Sequence, residues 1–184
     1  MRRLALEVDD DSQPVIVPRN HRALVATSPE RGWRLRKHLI TILRSMRRRE
    51  YSPAEMRAEP EGFAARVAAT ACGMCKGSCC KGGGDHAYLD EQTIARARRA
   101  RPELERRAIV RSYVERVPVS GYDGSCLFHG ERGCTLTRSM RSEVCNSYFC
   151  AGLEAYVTGG DTDTQVVVIA GEGDKMRTSP VLIP

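Results

Sequence analysis

Residues 32–50, GWRLRKHLITILRSMRRRE, form the longest periodic stretch of the chain. Leu35, Leu39, Ile42 and Met46 recur at helical spacing, and Trp33, Ile40 and Leu43 widen the stripe. Apolar residues three and four apart fall on one face of a 3.6-residue helix, so the pattern predicts an amphipathic helix with that face turned to a core. Ser52-Pro53 stops it and starts a short second helix through Val67, because proline is tolerated in a first helical turn. Upstream, residues 1–30 mix short apolar runs (Leu4-Ala5-Leu6, Val15-Ile16-Val17) with Asp9-Asp10-Asp11, Pro14, Pro18 and Pro29. They read as a loose extended arm with room for one strand.

Further along, Asp90 is an N-cap candidate for a helix starting at Glu91, and Pro102 opens or kinks a second helical run with Leu104, Ala108, Ile109 and Val114 on one side. Residues 117–134 carry Pro118, Gly121, Gly124, Gly130 and Gly133, which predicts a loop or irregular hairpin. Val166–Ala170, between Gly159-Gly160 and Gly171, is the strongest strand candidate, and the ending TSPVLIP is a weaker second one. The chain is therefore expected to be α+β, a helix-rich irregular small domain organised by a cysteine-ligated metal site, with a small C-terminal strand pair. Its linear division is an N-terminal arm with amphipathic helices (1–70), a cysteine-cluster domain (71–152) and a C-terminal strand segment packing on it (153–184).

Composition adjusts this picture in two ways. A chain of 184 residues buries roughly 70% of its unfolded surface, but only 5% of its residues are aromatic. The core is therefore modest, and metal ligation would add usefully to it. The formal charge is +6, with 25 Arg against 4 Lys. Two Arg runs, Arg31–Arg49 and Arg96–Arg107, lie on predicted helices and raise the question of a nucleic-acid or acidic-protein partner. The plainer reading is a solvated helix face with partners four residues apart, such as Glu103–Arg107. That reading ranks higher, because acidic residues are interleaved with the Arg, aromatics for base stacking are few, and no helix-turn-helix or zinc-finger spacing occurs. An Arg-rich composition is also what a GC-rich genome produces without any functional cause. No apolar run of membrane-spanning length and no secretory leader is present, so a cytoplasmic protein without a membrane partner is expected.

The chemistry is concentrated in the cysteines. All eight lie between Cys72 and Cys150, in two clusters. The first is Cys72-Gly-Met-Cys75-Lys-Gly-Ser-Cys79-Cys80. The second is Cys126-Leu-Phe-His129-Gly-Glu-Arg-Gly-Cys134 with Cys145-Asn-Ser-Tyr148-Phe-Cys150. Thiolates are soft ligands that match zinc, or the iron of iron–sulfur clusters, and dense cysteines in a cytoplasmic chain point to metal or redox chemistry before disulfides. A C-x2-C step lets two sulfurs converge on one ion while the turning backbone aims amide N–H groups at them. Lys76 and Lys81 would offset thiolate charge. Adjacent side chains diverge, so Cys79 and Cys80 are expected to face different surroundings. His129 and His86 are lesser ligand candidates, better read as surface groups, and His21 and His38 look incidental. No phosphate loop, dinucleotide motif or Ser-His-acid grouping is present.

The first cluster resembles the eponymous motif of the YkgJ-type CxxCxxCC family of zinc- or iron-chelating proteins, with His86-Ala-Tyr-Leu-Asp-Glu where that family begins a helix. Arg141-Ser-Glu-Val-Cys145-Asn-Ser-Tyr148 resembles the family's later R-P-x-x-C-R-x-Y/F segment. This chain departs from the pattern in having three residues between Cys75 and Cys79 instead of two, Ser142 in place of Pro, and Asn146 in place of Arg. The resemblance spans about residues 70–152 and implies metal chelation without fixing a reaction. A related cysteine pattern in flagellin lysine N-methylases keeps an enzymatic reading open. All eight cysteines, Cys72, Cys75, Cys79, Cys80, Cys126, Cys134, Cys145 and Cys150, are metal-ligand candidates for zinc or an iron–sulfur cluster. Cys72, Cys75, Cys126, Cys134 and Cys145 are the firmest, and Cys150 is the readiest bystander. The alternatives are an enzyme using a cluster or a reactive vicinal thiol in redox or group transfer, and a zinc-stabilised adaptor for nucleic acid or protein.

Overall fold

The computed structural model of the chain describes residues 11–46, 51, 57–171 and 175–184. The apolar run Leu4-Ala5-Leu6, the Arg47–Arg49 end of the first Arg run and the helix start at Ser52-Pro53 lie outside the described residues. The described chain mixes helices with small sheets and divides into two compact units: Met1–His21, Ala58–Ser78 and Phe149–Pro184 in one, Arg22–Arg57 and Cys79–Tyr148 in the other. The units are interleaved in sequence, whereas the sequence reading was a linear series of segments.

The interleaving follows from one strand pairing. In the first unit, β1 (Gln13–Val17) lies parallel to β6 (Val166–Ala170), with Gln13 opposite Val166 and Val17 opposite Ala170. Parallel strands cannot be joined by a tight turn, and here nearly the whole chain forms the connection. β7 (Arg177–Thr178) pairs antiparallel on the other side of β6, and Val166 also bridges Leu182. The expected C-terminal pair is thus present within a three-stranded sheet whose third member comes from the N-terminal arm. All five residues of β6, Val-Val-Val-Ile-Ala, are buried, as a central strand's unbroken apolar run requires.

Helix α2 (Gly62–Cys75) packs on β6 and β1, and α6 (Ala151–Gly159) on β1. Their apolar faces complete an aliphatic core with Val67, Ala71, Leu153 and Tyr156 against Val15, Val17, Val166 and Val168. α6 comes so close that a Cβ on Gly152 would run into the Ile16 carbonyl oxygen. The sequence predicted a helix ending at Val67; it continues to Cys75.

The second unit is built on α1 (Pro29–Ser45), which begins after Ser28 with proline at its first position and buries Leu35, Leu39, Ile42 and Leu43. Trp33 does not join that stripe: it is 62% exposed, under Lys37, whose ammonium sits 5.4 Å from the ring centroid. α3 (Glu91–Ala100) starts as expected, its Asp90 cap accepting the Thr93 N–H at 2.8 Å. Pro102 neither opens nor kinks a helix; it lies in the turn before α4 (Arg106–Val114). α1 packs on both α3 and α4, over a core that includes Ile94, Ile109, Tyr113, Leu127, Phe128 and Met140. The Tyr113 hydroxyl donates to the Met140 carbonyl at 3.1 Å.

The Gly-rich segment forms two small antiparallel pairs. β2 (Leu24–Ala26) pairs with β3 (Ser120–Tyr122), and β4 (His129–Gly130) with β5 (Gly133–Cys134), across a two-residue turn. A short α5 (Glu143–Ser147) follows. Among the described residues, no helix is long and apolar enough to cross a membrane.

Candidate metal-thiolate site

The unit boundary falls between Ser78 and Cys79, within the first cysteine cluster. Cys79, Cys80, Cys126, Cys134 and Cys145 belong to the helical unit; Cys72, Cys75 and Cys150 belong to the sheet unit.

In the helical unit four backbone segments deliver the five thiols. Cys79 and Cys80 sit on a 3-10 turn, Ser78–Gly83. The loop bearing Cys126 is bonded to this turn and its exit: Cys126 N–H donates to the Cys80 carbonyl at 2.9 Å, and Leu127 N–H to the Gly84 carbonyl at 2.8 Å. A Cβ on Gly83 would lie 2.7 Å from the Cys126 Cβ and 2.9 Å from its Sγ, so only glycine allows the turn to approach Cys126. Cys134 faces His129 across the β4–β5 hairpin. Cys145 lies in the first turn of α5, whose cap, Ser142 Oγ, accepts the Cys145 N–H at 3.3 Å.

Three arginines brace these segments. Arg31 reaches from α1 to pair with Asp85 at 2.5 Å and to donate to the Ser125 carbonyl at 2.6 Å, tying together the chain on either side of the Cys80–Cys126 contact. Arg34 takes the second Asp85 oxygen at 2.5 Å. Arg96, on α3, pairs with Glu143 at 3.6 Å and donates to the Ser139 and Arg141 carbonyls, holding the turn that leads into α5.

The thiols influence one another electrostatically. The hydrogen bond that Cys80 donates to Cys79 holds the Cys80 proton far above its ordinary range. Burial adds to this, as do Cys79, Cys126 and Cys134 as would-be anions. The same bond, opposed by burial and helped by Arg141, lowers Cys79. Burial pushes Cys126 up to about 12, with Cys134 and Cys145 acting in the same direction and Arg31 against it. Cys145 is raised mainly by burial, then by Cys134 and Cys79. All five are therefore near neighbours, and none is disulfide-bonded. Among the described residues, however, no three His, Cys, Asp or Glu side chains already surround a common point in ligand geometry.

The sheet unit treats its cysteines differently. Cys72 and Cys75 lie on the last turn of α2, so the expected turning knuckle is regular helix, ended by Lys76 and Gly77 in left-handed conformation. Cys72 is exposed, whereas Cys75 is buried in the aliphatic core. One amide does point at sulfur as expected: Ser78 N–H donates to Cys75 Sγ at 3.4 Å. Cys150 precedes α6 and packs partly buried against the same core.

Two of the histidines depart from their sequence reading. His129 is fully buried, not a surface group: its Nδ1 is 2.8 Å from Ser125 Oγ, and its ring lies 4.6 Å from that of Tyr122. His38 is not incidental, since its Nε2 is 2.7 Å from the Leu89 carbonyl and its ring lies 5.4 Å from that of His86. His86 is exposed, and the helix after it begins only at Glu91. Arg31 and Arg96 stand in the sequence only as the first residues of two Arg runs, and neither they nor Asp85 carry a local signal of this bracing. Ser142 could have been found, since Ser followed by Glu opens a helix as a cap. Comparison of the chain with family models, with curated proteins and with solved structures finds no match.

Proposed function

We propose that the helical unit is a metal-thiolate module, in which Cys79, Cys80, Cys126, Cys134 and Cys145 supply the ligands for zinc or an iron–sulfur cluster. The observation that carries this reading is the gathering of five thiols, from four backbone segments, in a partly buried place where neighbouring thiols oppose the ionisation of Cys80, Cys126 and Cys145. Five such groups cannot all become anions without compensating charge, and a soft cation supplies it. The donor set is entirely sulfur, which fits zinc and iron–sulfur chemistry. The resemblance to the YkgJ-type pattern points the same way. Loading would replace thiol protons by metal and draw the sulfurs inward from their present spacing. Arg31, Arg96 and Ser142 would hold the segments in register while this happens.

The test is anaerobic purification followed by a visible spectrum and a count of zinc, iron and acid-labile sulfide. Zinc or cluster bound at one site per chain is expected, with protons released on loading and the metal lost in Cys126→Ser/Cys145→Ser. A protein with intact thiols that neither retains metal nor releases protons on titration with zinc overturns the reading.

A second reading rests on Cys79 alone. It is exposed, and the bond from Cys80 favours its thiolate, which are the conditions for a nucleophilic thiol. Alkylation by iodoacetamide, mapped by mass spectrometry, should then mark Cys79 ahead of the other seven. Labelling no faster than at Cys72, also exposed, removes this reading.

A further inference from the structure

A groove of about 590 Å³ runs between α1 and α4 in the helical unit. Its rim is Arg36 and Arg44 from α1 with Arg106, Arg107 and Arg111 from α4. Among the described residues no acidic side chain lines it, and none of the five guanidinium groups is hydrogen-bonded or ion-paired to a described residue. The second Arg run ends on α4 with Arg107 exposed, as is Arg111 beyond it, but without the expected acidic partner. Glu103 lies outside α4, and Glu103 and Arg107 form no ion pair. The floor is apolar: Ile40 and Leu43 from α1, Val110 and Val114 from α4. On each helix Arg and apolar residues recur four apart (Arg36–Ile40–Arg44, Arg106–Val110–Val114), so each presents an apolar stripe edged by cations.

We propose that this groove docks an acidic amphipathic helix of a partner protein, laid between α1 and α4 with its apolar face on the valine and isoleucine floor and its carboxylates on the arginine rim. Both halves of the surface enter the argument. Five unpaired arginines select an anion. An apolar floor without a single aromatic ring gives bases nothing to stack on, but suits the helix-in-groove mode, with side chains three and four apart as anchors. A shallower hollow alongside shares Arg36, Ile40 and Arg44 with the groove and adds Trp33 and Lys37, extending the cationic rim along α1.

Trp33 is the chain's only tryptophan, so its fluorescence reports on the hollow beside the groove, which shares Arg36, Ile40 and Arg44 with it. The probe is a synthetic peptide of about 18 residues, or five helical turns, with leucine on one face and glutamate on the other. Saturable binding that weakens with salt is expected, reduced about tenfold by Arg107→Glu/Arg111→Glu. A second peptide, with lysine replacing glutamate, should bind this variant more tightly than it binds the unaltered protein, which a misfolded variant could not do. The inference is overturned by a scrambled acidic peptide of the same composition binding equally well. It is also overturned by a single-stranded oligonucleotide binding more tightly than the amphipathic peptide, or by the double variant binding the acidic peptide unchanged.

Discussion

The two units solve the burial problem with different materials, and cysteine takes a different part in each. In the sheet unit a central strand of Val and Ile is buried along its whole length between strands and helices, and Cys75 packs as one more small apolar side chain in that core. In the helical unit α1, α3 and α4 supply half of the apolar core, and the short hairpins and turns outside these helices supply the rest, Leu127, Phe128, Leu136 and Met140 included. The thiols gather in those segments.

That contrast can be broken most forcefully through the metal. If the helical unit depends on thiolate ligation, stripping the ion with a chelator should remove on the order of 10 kcal/mol from its folding. Amide exchange in α5 and the β4–β5 hairpin should accelerate steeply. The same loss should follow Cys126→Ser/Cys145→Ser, whereas Cys150→Ser should leave the metal count unchanged. Loss of metal in Cys150→Ser would erase the distinction between the two sets.

The sheet unit should answer instead to packing. Gly152→Ala drives a methyl group into the Ile16 carbonyl, and should destabilise the protein by about 3 kcal/mol or more, since rigid backbone cannot yield as a side chain does. Denaturant unfolding measures this directly. A change under about 0.5 kcal/mol would show that α6 is not held against β1 in this way.

Gly83→Ala is the counterpart in the helical unit. Its Cβ meets Cys126, and the predicted outcome is a shift in that cysteine that lowers zinc affinity about tenfold or more, as supporting-shell changes do. The stability cost should stay near 1–3 kcal/mol. Competition with a chromogenic chelator gives the affinity; unchanged affinity would detach the 3-10 turn from the site.

The smallest effect concerns the brace. Burial alone would raise the Asp85 carboxyl, but hydrogen bonds from Arg31 and Arg34 outweigh it and hold the group below its ordinary value. A depressed carboxyl stabilises the fold above its unfolded pKa, near 3.9, and that contribution fades as pH falls through the lowered folded value. The pair is partly exposed, so Asp85→Asn should cost about 1 kcal/mol or less at neutral pH. It should also flatten the stability profile below about pH 4. An unchanged acid profile would show that Arg31 braces the loops through the Ser125 carbonyl alone.

Local patterns were legible in the chain because local physics produces them. The α1 stripe, the Asp90 cap and the limits of β6 could be read from spacing, since helix period, cap chemistry and a Gly-bounded apolar run act within a few residues. Trp33 was misplaced because periodicity assigns a face without saying how wide a face the core can cover. His129 was misjudged for a related reason: its Gly-flanked loop suggested exposure, but the ring is enclosed by Tyr122 and Ser125, neither of which announces itself as a partner in sequence.

By itself, then, the sequence determined that this chain would be helix-rich with a small C-terminal strand pairing, and that its eight cysteines would fall between residues 72 and 150. Only the tertiary structure decided which sulfurs are neighbours. The parallel pairing of Gln13–Val17 with Val166–Ala170 brings these distant strands into one unit, to which Cys72 and Cys75 belong, while Cys79 and Cys80 belong to the other. The Cys126–Cys80 hydrogen bond and the Arg31 brace then assemble the other group. Such contacts join residues tens of positions apart, and their energy depends on loop closure and mutual fit that no local pattern encodes.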